Sequence, residues 1–193
     1  MKPNRSRAKR FTALAVAGSA GHNGFERWAG IGVFLEPWLG RRATNLLWAI
    51  TLPLSFLQAL RPRKRDEPVL AFNGGVAVAG AAVHYVEWPW SRRFGFIPWL
   101  DDAEGLPKEM LLPYNLILLG WLVGGLGSIA RETERDDLKW AALGVASAPL
   151  LLASARHHFA WAREQAKRDP DRWNPALREV SPSARMRAKE AAQ

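Results

Sequence analysis

The stretch "PVLAFNGGVAVAGAAVHYV", residues 68–86, contains 19 consecutive residues without Asp, Glu, Lys or Arg. Charged residues make up 23% of the chain. At that density a gap of this length has a chance of roughly 1% at any given starting point. A helix needs about 20 mainly apolar residues to cross the hydrocarbon core of a bilayer, with a lower limit of about 17. The stretch therefore predicts a membrane-spanning helix.

Three further charge-poor runs accompany it, over residues 43–60, 111–130 and 140–155. The alternative is a soluble bundle of four buried helices, but soluble helices normally keep a polar stripe and these runs show none. We therefore predict an all-α fold, an integral membrane bundle of about four transmembrane helices. The bundle spans residues 43–156, with helices near 43–60, 68–86, 111–130 and 138–156.

The two ends of the chain are more polar than this bundle. Residues 1–42 begin with the basic leader "MKPNRSRAKR", and Glu26, Arg27 and Glu36 interrupt the apolar residues that follow. These charges favour an interfacial segment, packed on one side of the bundle, over a full crossing. A signal peptide or an extra span through residues 11–25 stays open. Residues 157–193 are predicted to form a basic, helical cytoplasmic tail.

The distribution of basic residues predicts an orientation. Four spans place both termini and the long loop 87–109 on one side, which then carries 20 of the 27 Lys and Arg residues. The positive-inside rule makes that side cytoplasmic, and we expect the bacterial inner membrane. The dense "RPRKR" of residues 61–65 argues against this orientation, and a fifth crossing through residues 11–25 would bring it inside.

The composition indicates partners rather than chemistry. The net charge of +9 and the ten tryptophans suit a membrane–water interface, with the basic tail attracted to anionic lipid headgroups. Nucleic acid is not expected, because acidic residues are scattered through the tail and no binding motif is present.

The absence of cysteine excludes disulfides, thiolate metal sites and cysteine nucleophiles. The predicted interface anchors are Trp88, Trp90, Trp99 and Trp140.

Small residues at four-residue spacing occur in the predicted spans. Gly120 and Gly124 stand at GxxxG spacing in one span, and Gly75 and Ala79 repeat the pattern in another. Such pairs allow two helix backbones to approach closely in lipid. They predict close helix packing within the chain.

Candidate ligand residues lie near the ends of two spans. His84 and His158 are expected at similar depth on the same side, with Glu87 near enough to orient an imidazole. If the stripes of small and polar residues on the two helices face each other, the histidines could hold haem or a metal, or serve a quinone site. The alternative is a plain membrane boundary, in which these side chains only mark the headgroup layer.

No catalytic motif is present, since GxSxG, HExxH, GxGxxG and Walker sequences are all absent. The first hypothesis is therefore a non-enzymatic accessory, assembly or structural component of a membrane complex, with a membrane protein partner. The alternative is a histidine-based redox module that binds haem, metal or quinone. A small transporter is the second alternative, with Asn73 and Asn115 as its candidate polar residues.

Overall fold

The computed structural model describes residues 7–179 and residue 182, and the remaining parts of the predicted leader and tail lie outside them. Most of the described chain is helical. The helices are α1 (Arg10–Trp28), α2 (Glu36–Leu60), α3 (Glu67–Glu87), α4 (Leu111–Gly127), α5 (Leu138–Ala146) and α6 (Ala148–Arg168). Strands β1 (Trp90–Arg93) and β2 (Ile97–Leu100) form an antiparallel hairpin between α3 and α4, which the all-α prediction did not include.

Four helical stretches are long and apolar enough to cross a membrane: Glu36–Leu60, Lys64–Glu87, Lys108–Glu132 and Arg135–Arg168. The prediction of a helical bundle with four such stretches is confirmed. Proline lies in the first positions of α2, α3 and α6. A backbone N–H group there has no intrahelical acceptor, so its absence in proline costs the helix no hydrogen bond. Ser147 separates α5 from α6, so the fourth stretch bends there.

Helix α1 belongs to the segment predicted to be interfacial or packed on the bundle, and it runs antiparallel to α4 along the bundle. A Cβ atom added at Gly18 would lie 2.7 Å from the Cα of Trp121, and one at Gly124 would lie 2.8 Å from the Cα of Ala15. These contacts require small residues, which α1 supplies on the face toward α4. Its charged residues Glu26 and Arg27 lie in the last turn, so they do not prevent this packing.

The described ends of the chain lie at opposite ends of the bundle. Near the start of α1, Glu132 accepts hydrogen bonds from the backbone N–H groups of Phe11 and Thr12, each at 2.8 Å. We call this the loop end, since residues 61–66 and 131–137 form it. At the other, cap end, the N–H of Asn174 donates to the carbonyl of Gly30 at 3.0 Å. The cap end consists of residues 28–36, 88–110 and 169–178.

The predicted topology places both ends of the chain on one side, whereas residues 7 and 179, the limits of the continuous described chain, lie at opposite ends of the bundle. The difference arises because α1 extends along the bundle beside α4. The described Lys and Arg residues then divide into ten toward the loop end and twelve toward the cap end. The charge bias behind the predicted orientation is therefore absent from the described residues.

The hairpin lies over the cap end and is held by Asn115 of α4. Its side-chain oxygen accepts from the N–H of Leu100 at 2.7 Å, and its amide donates to the carbonyls of Leu100 and Leu111. Trp88, predicted as an interface anchor, is only 2% exposed and packs edge-on against Phe159. The apolar cluster beneath the hairpin buries it. Trp90 and Trp140 are exposed, and Trp99 is half-buried.

The predicted packing glycines divide into two groups. A Cβ at Gly75 would meet the carbonyl oxygen of Ala141 and lie 2.9 Å from the Cα of Gly144, so α3 and α5 are in backbone contact there. Ala79 is buried, and Gly124 packs on α1. Gly120 is different: no neighbouring atom lies within 4 Å of its added Cβ, so the close packing predicted for it does not occur.

Candidate metal centre and adjoining cavity

Four polar side chains from three helices converge near the cap end. His22 and Glu26 stand four residues apart on α1 and so share one face of that helix. His84 comes from the last turn of α3, and Tyr114 from the first turns of α4. His22, Glu26 and Tyr114 are buried, at 7%, 3% and 0% exposure, while His84 is half-buried beside a cavity.

The imidazole of His84 is held in a defined orientation. Its Nδ1 lies 2.7 Å from the carbonyl oxygen of Gly80, which can only accept, so Nδ1 carries the hydrogen and donates. In the neutral ring, Nε2 then presents its lone pair, and it faces Nε2 of His22 at 2.9 Å. A ring whose second nitrogen donates to a backbone carbonyl is the usual arrangement for a metal-binding histidine.

The carboxylate of Glu26 completes the cluster. Its Oε1 accepts from the Tyr114 hydroxyl at 3.1 Å and lies 3.2 Å from Nε2 of His22. One ligand atom from each of His22, Glu26 and His84 lies within 4.8 Å of the others. A buried carboxylate needs a compensating positive charge or a proton. A protonated imidazole or a metal cation would supply that charge here.

Glycines bring the helices close enough to form this cluster. Gly18 of α1 and Gly80 of α3 both pack against Trp121 of α4, and a Cβ at Gly80 would lie 2.7 Å from Cζ2 of that indole. The ring of Trp121 in turn lies 5.0 Å from that of His22, centroid to centroid. Small residues on α1 and α3 therefore make room for the indole that supports the imidazole pair.

A cavity of about 130 Å³ adjoins the cluster. It lies between α1, α2, α3 and α6, and His22, Glu26 and His84 contribute to its wall. Most of the remaining wall is apolar. The other lining residues are Ser19, Asn23, Phe34, Trp48, Val76, Gly80, Val83, Trp121, Leu151, Ala155, His158 and Phe159.

Two polar side chains in this wall keep a buried acceptor without a partner. Asn23 uses its amide to donate to the carbonyl of Ser19 at 2.8 Å, and among the described residues its Oδ1 has no hydrogen-bond partner. His158 Nε2 lies 3.2 Å from the carbonyl of Ile31, and its Nδ1 also has none. Buried polar atoms are nearly always hydrogen-bonded, so such acceptors indicate a donor from a water molecule or a ligand.

The structure places the predicted ligand residues differently from the sequence hypothesis. His84 and His158 do line the same cavity, but the hydrogen-bond partner of the His84 imidazole is His22. Glu87 accepts a hydrogen bond from Arg156 at 2.7 Å. Sequence reasoning missed His22, Glu26 and Tyr114 as site residues.

The donor set suits a transition metal. Two imidazole nitrogens and one carboxylate oxygen are ligands that Zn²⁺ and Fe²⁺ accept, and three protein ligands leave a coordination position for another molecule. Haem held between the two histidines does not fit. That arrangement requires nitrogens on opposite faces of the porphyrin, and the 2.9 Å between the two Nε2 atoms leaves no room for a ring.

Comparison with protein families, with curated proteins and with solved structures finds no match to this chain.

Proposed function

We propose that this chain is an integral membrane protein that binds one divalent transition metal ion through His22, Glu26 and His84. The observation that carries the proposal is the convergence of three ligand atoms within 4.8 Å in the interior of a mainly apolar bundle. Ionisable residues inside such bundles are costly and usually functional. The orientation of His84 by the Gly80 carbonyl supports the same assignment.

A purely structural hydrogen-bond network is the competing explanation. In that case one proton would lie between the two imidazoles, and Tyr114 would only satisfy the carboxylate of Glu26. A structural role does not require two Nε2 atoms to face each other, since each imidazole could donate to a backbone carbonyl instead. In a metal site both Nε2 lone pairs and an oxygen of Glu26 would instead bind one ion, and zinc analysis distinguishes the two arrangements.

A bound metal would add chemistry to the cavity that it faces. A divalent ion acts as a Lewis acid, polarising an oxygen of a bound molecule or lowering the pKa of bound water. The chain's own contribution is to hold the ligands and to surround them with apolar walls. Tyr114 donates to Glu26 and so fixes the carboxylate beside His22. A metal-dependent activity on a lipid-soluble molecule is the function class that follows.

The proposal includes a membrane location in which the four apolar stretches cross the bilayer and α1 crosses with them. The loop end and the cap end then face opposite sides. Exposed basic residues of α6 and the following turn, such as Arg168 and Arg172, would contact anionic headgroups. Carbonate washing of membranes should leave the protein in the pellet, whereas release into the supernatant would contradict the membrane location.

The metal is tested by elemental analysis of the full chain purified in detergent and loaded with Zn²⁺, with excess removed by gel filtration. We expect about one Zn²⁺ per chain, as a three-ligand site predicts. His84→Ala and Glu26→Gln should each lose most of the metal. His157→Ala is the matched control, because His157 is exposed and its ring packs on Trp38 outside the cluster.

A second site variant distinguishes loss of a metal ligand from misfolding. Glu26→Gln keeps the volume and a hydrogen-bonding group, so a gel-filtration profile like that of the parent separates loss of a ligand from loss of the fold. Unchanged zinc content in both site variants, or none in the parent, would contradict the proposed function.

A non-enzymatic accessory role is the second candidate, supported by the tip of the hairpin. Phe94 and Phe96 are 84% and 81% exposed and follow Arg92 and Arg93. Exposed aromatic and basic residues together suit a membrane interface or a membrane protein partner. If this role is correct, Phe94→Ser with Phe96→Ser should reduce recovery of a co-purifying membrane protein while leaving zinc content unchanged.

A further inference from the structure

A second cavity continues the first toward the loop end. It has a volume of about 290 Å³ and lies between α1, α2, α3 and α4. The two cavities share Ser19, Trp48, Val76 and Trp121 in their walls. The two cavities therefore adjoin at these four residues, and together we call them the groove, with the His22–Glu26–His84 cluster at its cap end.

The groove is long, narrow and mainly apolar. On α3 it extends from Phe72 to His84, and at 1.5 Å per residue this is about 18 Å. Its inner part is lined by apolar side chains such as Val16, Leu47 and Leu52, together with the polar residues Thr51, Ser55 and Asn73. Helix α2 forms one wall but buries only Glu36, Thr44 and Ala59 against the bundle, so it stands apart from α3 along most of its length.

The metal centre marks the cap end of the groove, and polar side chains contribute to the wall at both ends. The acceptors Asn23 Oδ1 and His158 Nδ1 lie at the cap end without partners among the described residues. A ligand that satisfies both acceptors must donate hydrogen bonds. Toward Phe72 the walls offer mainly apolar contacts, which water fills poorly and a hydrocarbon chain fills well.

We infer that this groove binds a single-chain lipid with a small, hydrogen-bond-donating head group. The head group lies beside Asn23 and His158, and the chain extends along α3 toward Phe72. The head group would lie beside the proposed metal ion, and only the presence of that ion rests on the proposed function. The molecule beside the metal centre would then be a lipid-soluble alcohol or hydroquinone.

The test uses full-length protein in nanodiscs and a long-chain primary alcohol with a diazirine at the end of the chain. After illumination, the labelled peptides are identified by mass spectrometry. We expect saturable labelling near Phe72 and Leu52. Hexadecanol should compete at least about fivefold better than hexadecane, since one hydrogen bond contributes about 1 kcal/mol. Equal competition by the two compounds, or labelling that does not saturate, would contradict the inference.

Two variants and one control separate groove binding from contact with bulk lipid. Val76→Trp fills the groove where the two cavities join and should abolish saturable labelling. Asn23→Leu removes the free acceptor and should weaken hexadecanol competition by about fivefold. The control Val69→Trp lies on the same helix at a position that is 50% exposed, and it should label like the parent. Labelling that is the same in Val76→Trp and Val69→Trp would overturn the inference.

The same samples separate this inference from the metal proposal. Val76→Trp leaves His22, Glu26 and His84 unchanged, so it should keep its zinc while losing the lipid. If the parent binds zinc but shows no saturable labelling, the groove inference fails and the metal site stands. If His84→Ala and its parent both label saturably but neither binds zinc, the metal proposal fails and the groove stands.

Discussion

Substituting alanine at two glycines of α4 tests the packing of the bundle. Gly120 and Gly124 lie one helical turn apart, so a sequence pattern treats them alike. An added Cβ at Gly124 would lie 2.8 Å from the Cα of Ala15 and 2.9 Å from the carbonyl carbon of Leu14, both in α1. At Gly120 nothing lies within 4 Å. Only Gly124→Ala should force α1 and α4 apart.

The magnitude follows from two opposing effects. Both substitutions gain about 1 kcal/mol of helix propensity, because glycine is less favourable than alanine in a helix by about that amount. Gly124→Ala also incurs overpacking, which costs about 1–3 kcal/mol when backbone must move. The propensity gain cancels when the two variants are compared, so Gly124→Ala should be less stable than Gly120→Ala by about 1–3 kcal/mol.

Thermal unfolding in detergent, followed by circular dichroism, measures this difference. For a chain of this size 1 kcal/mol shifts Tm by about 2–4 °C, so the two variants should differ by about 2–12 °C. Gly120→Ala should unfold at or above the temperature of the parent. Equal Tm values for the two variants, or the reverse order, would refute the placement of α1 against α4.

Three further outcomes follow from the structure. Since the chain has no native cysteine, single variants Ala8→Cys and Phe96→Cys can be labelled with an impermeant maleimide in sealed vesicles, and they should react from opposite sides. Reaction from the same side would contradict the crossing by α1. Zn²⁺ at about 100 times its Kd should stabilise the parent by about 2.7 kcal/mol, while Glu26→Gln should show no such rise in Tm. Asn115→Leu leaves the N–H of Leu100 without its acceptor and should cost about 1–3 kcal/mol in thermal unfolding; an unchanged Tm would show that the hairpin is held by other contacts.

The spans were predictable because charge-free runs depend only on local sequence. Residues 68–86 could be identified as a span without knowing any neighbour, and α3 covers them. Helix α1 was not predictable in the same way. Its charged residues count against it in any hydropathy window, and only the contacts of Gly18 and Gly124 show that its other face fits α4.

Of the three candidate metal ligands, only His84 could be predicted from the sequence. His84 stood out because it ends an apolar run, but its partners come from a helix that had been placed outside the bundle. The four-residue spacing of His22 and Glu26 was a usable signal, since it puts both side chains on one helix face. In the sequence alone, Glu26 indicates only a charge that opposes a crossing. No local pattern indicates that α1 and α3 meet at Trp121.

X-ray absorption at the zinc edge shows whether His22, Glu26 and His84 bind one metal ion. The zinc-loaded parent should show a shell of nitrogen and oxygen at about 2.0–2.1 Å, with the outer scattering of two imidazole rings. His84→Ala, loaded and measured in the same way, should show the scattering of one ring at most. A parent spectrum with an oxygen-only shell and no imidazole scattering would contradict the account.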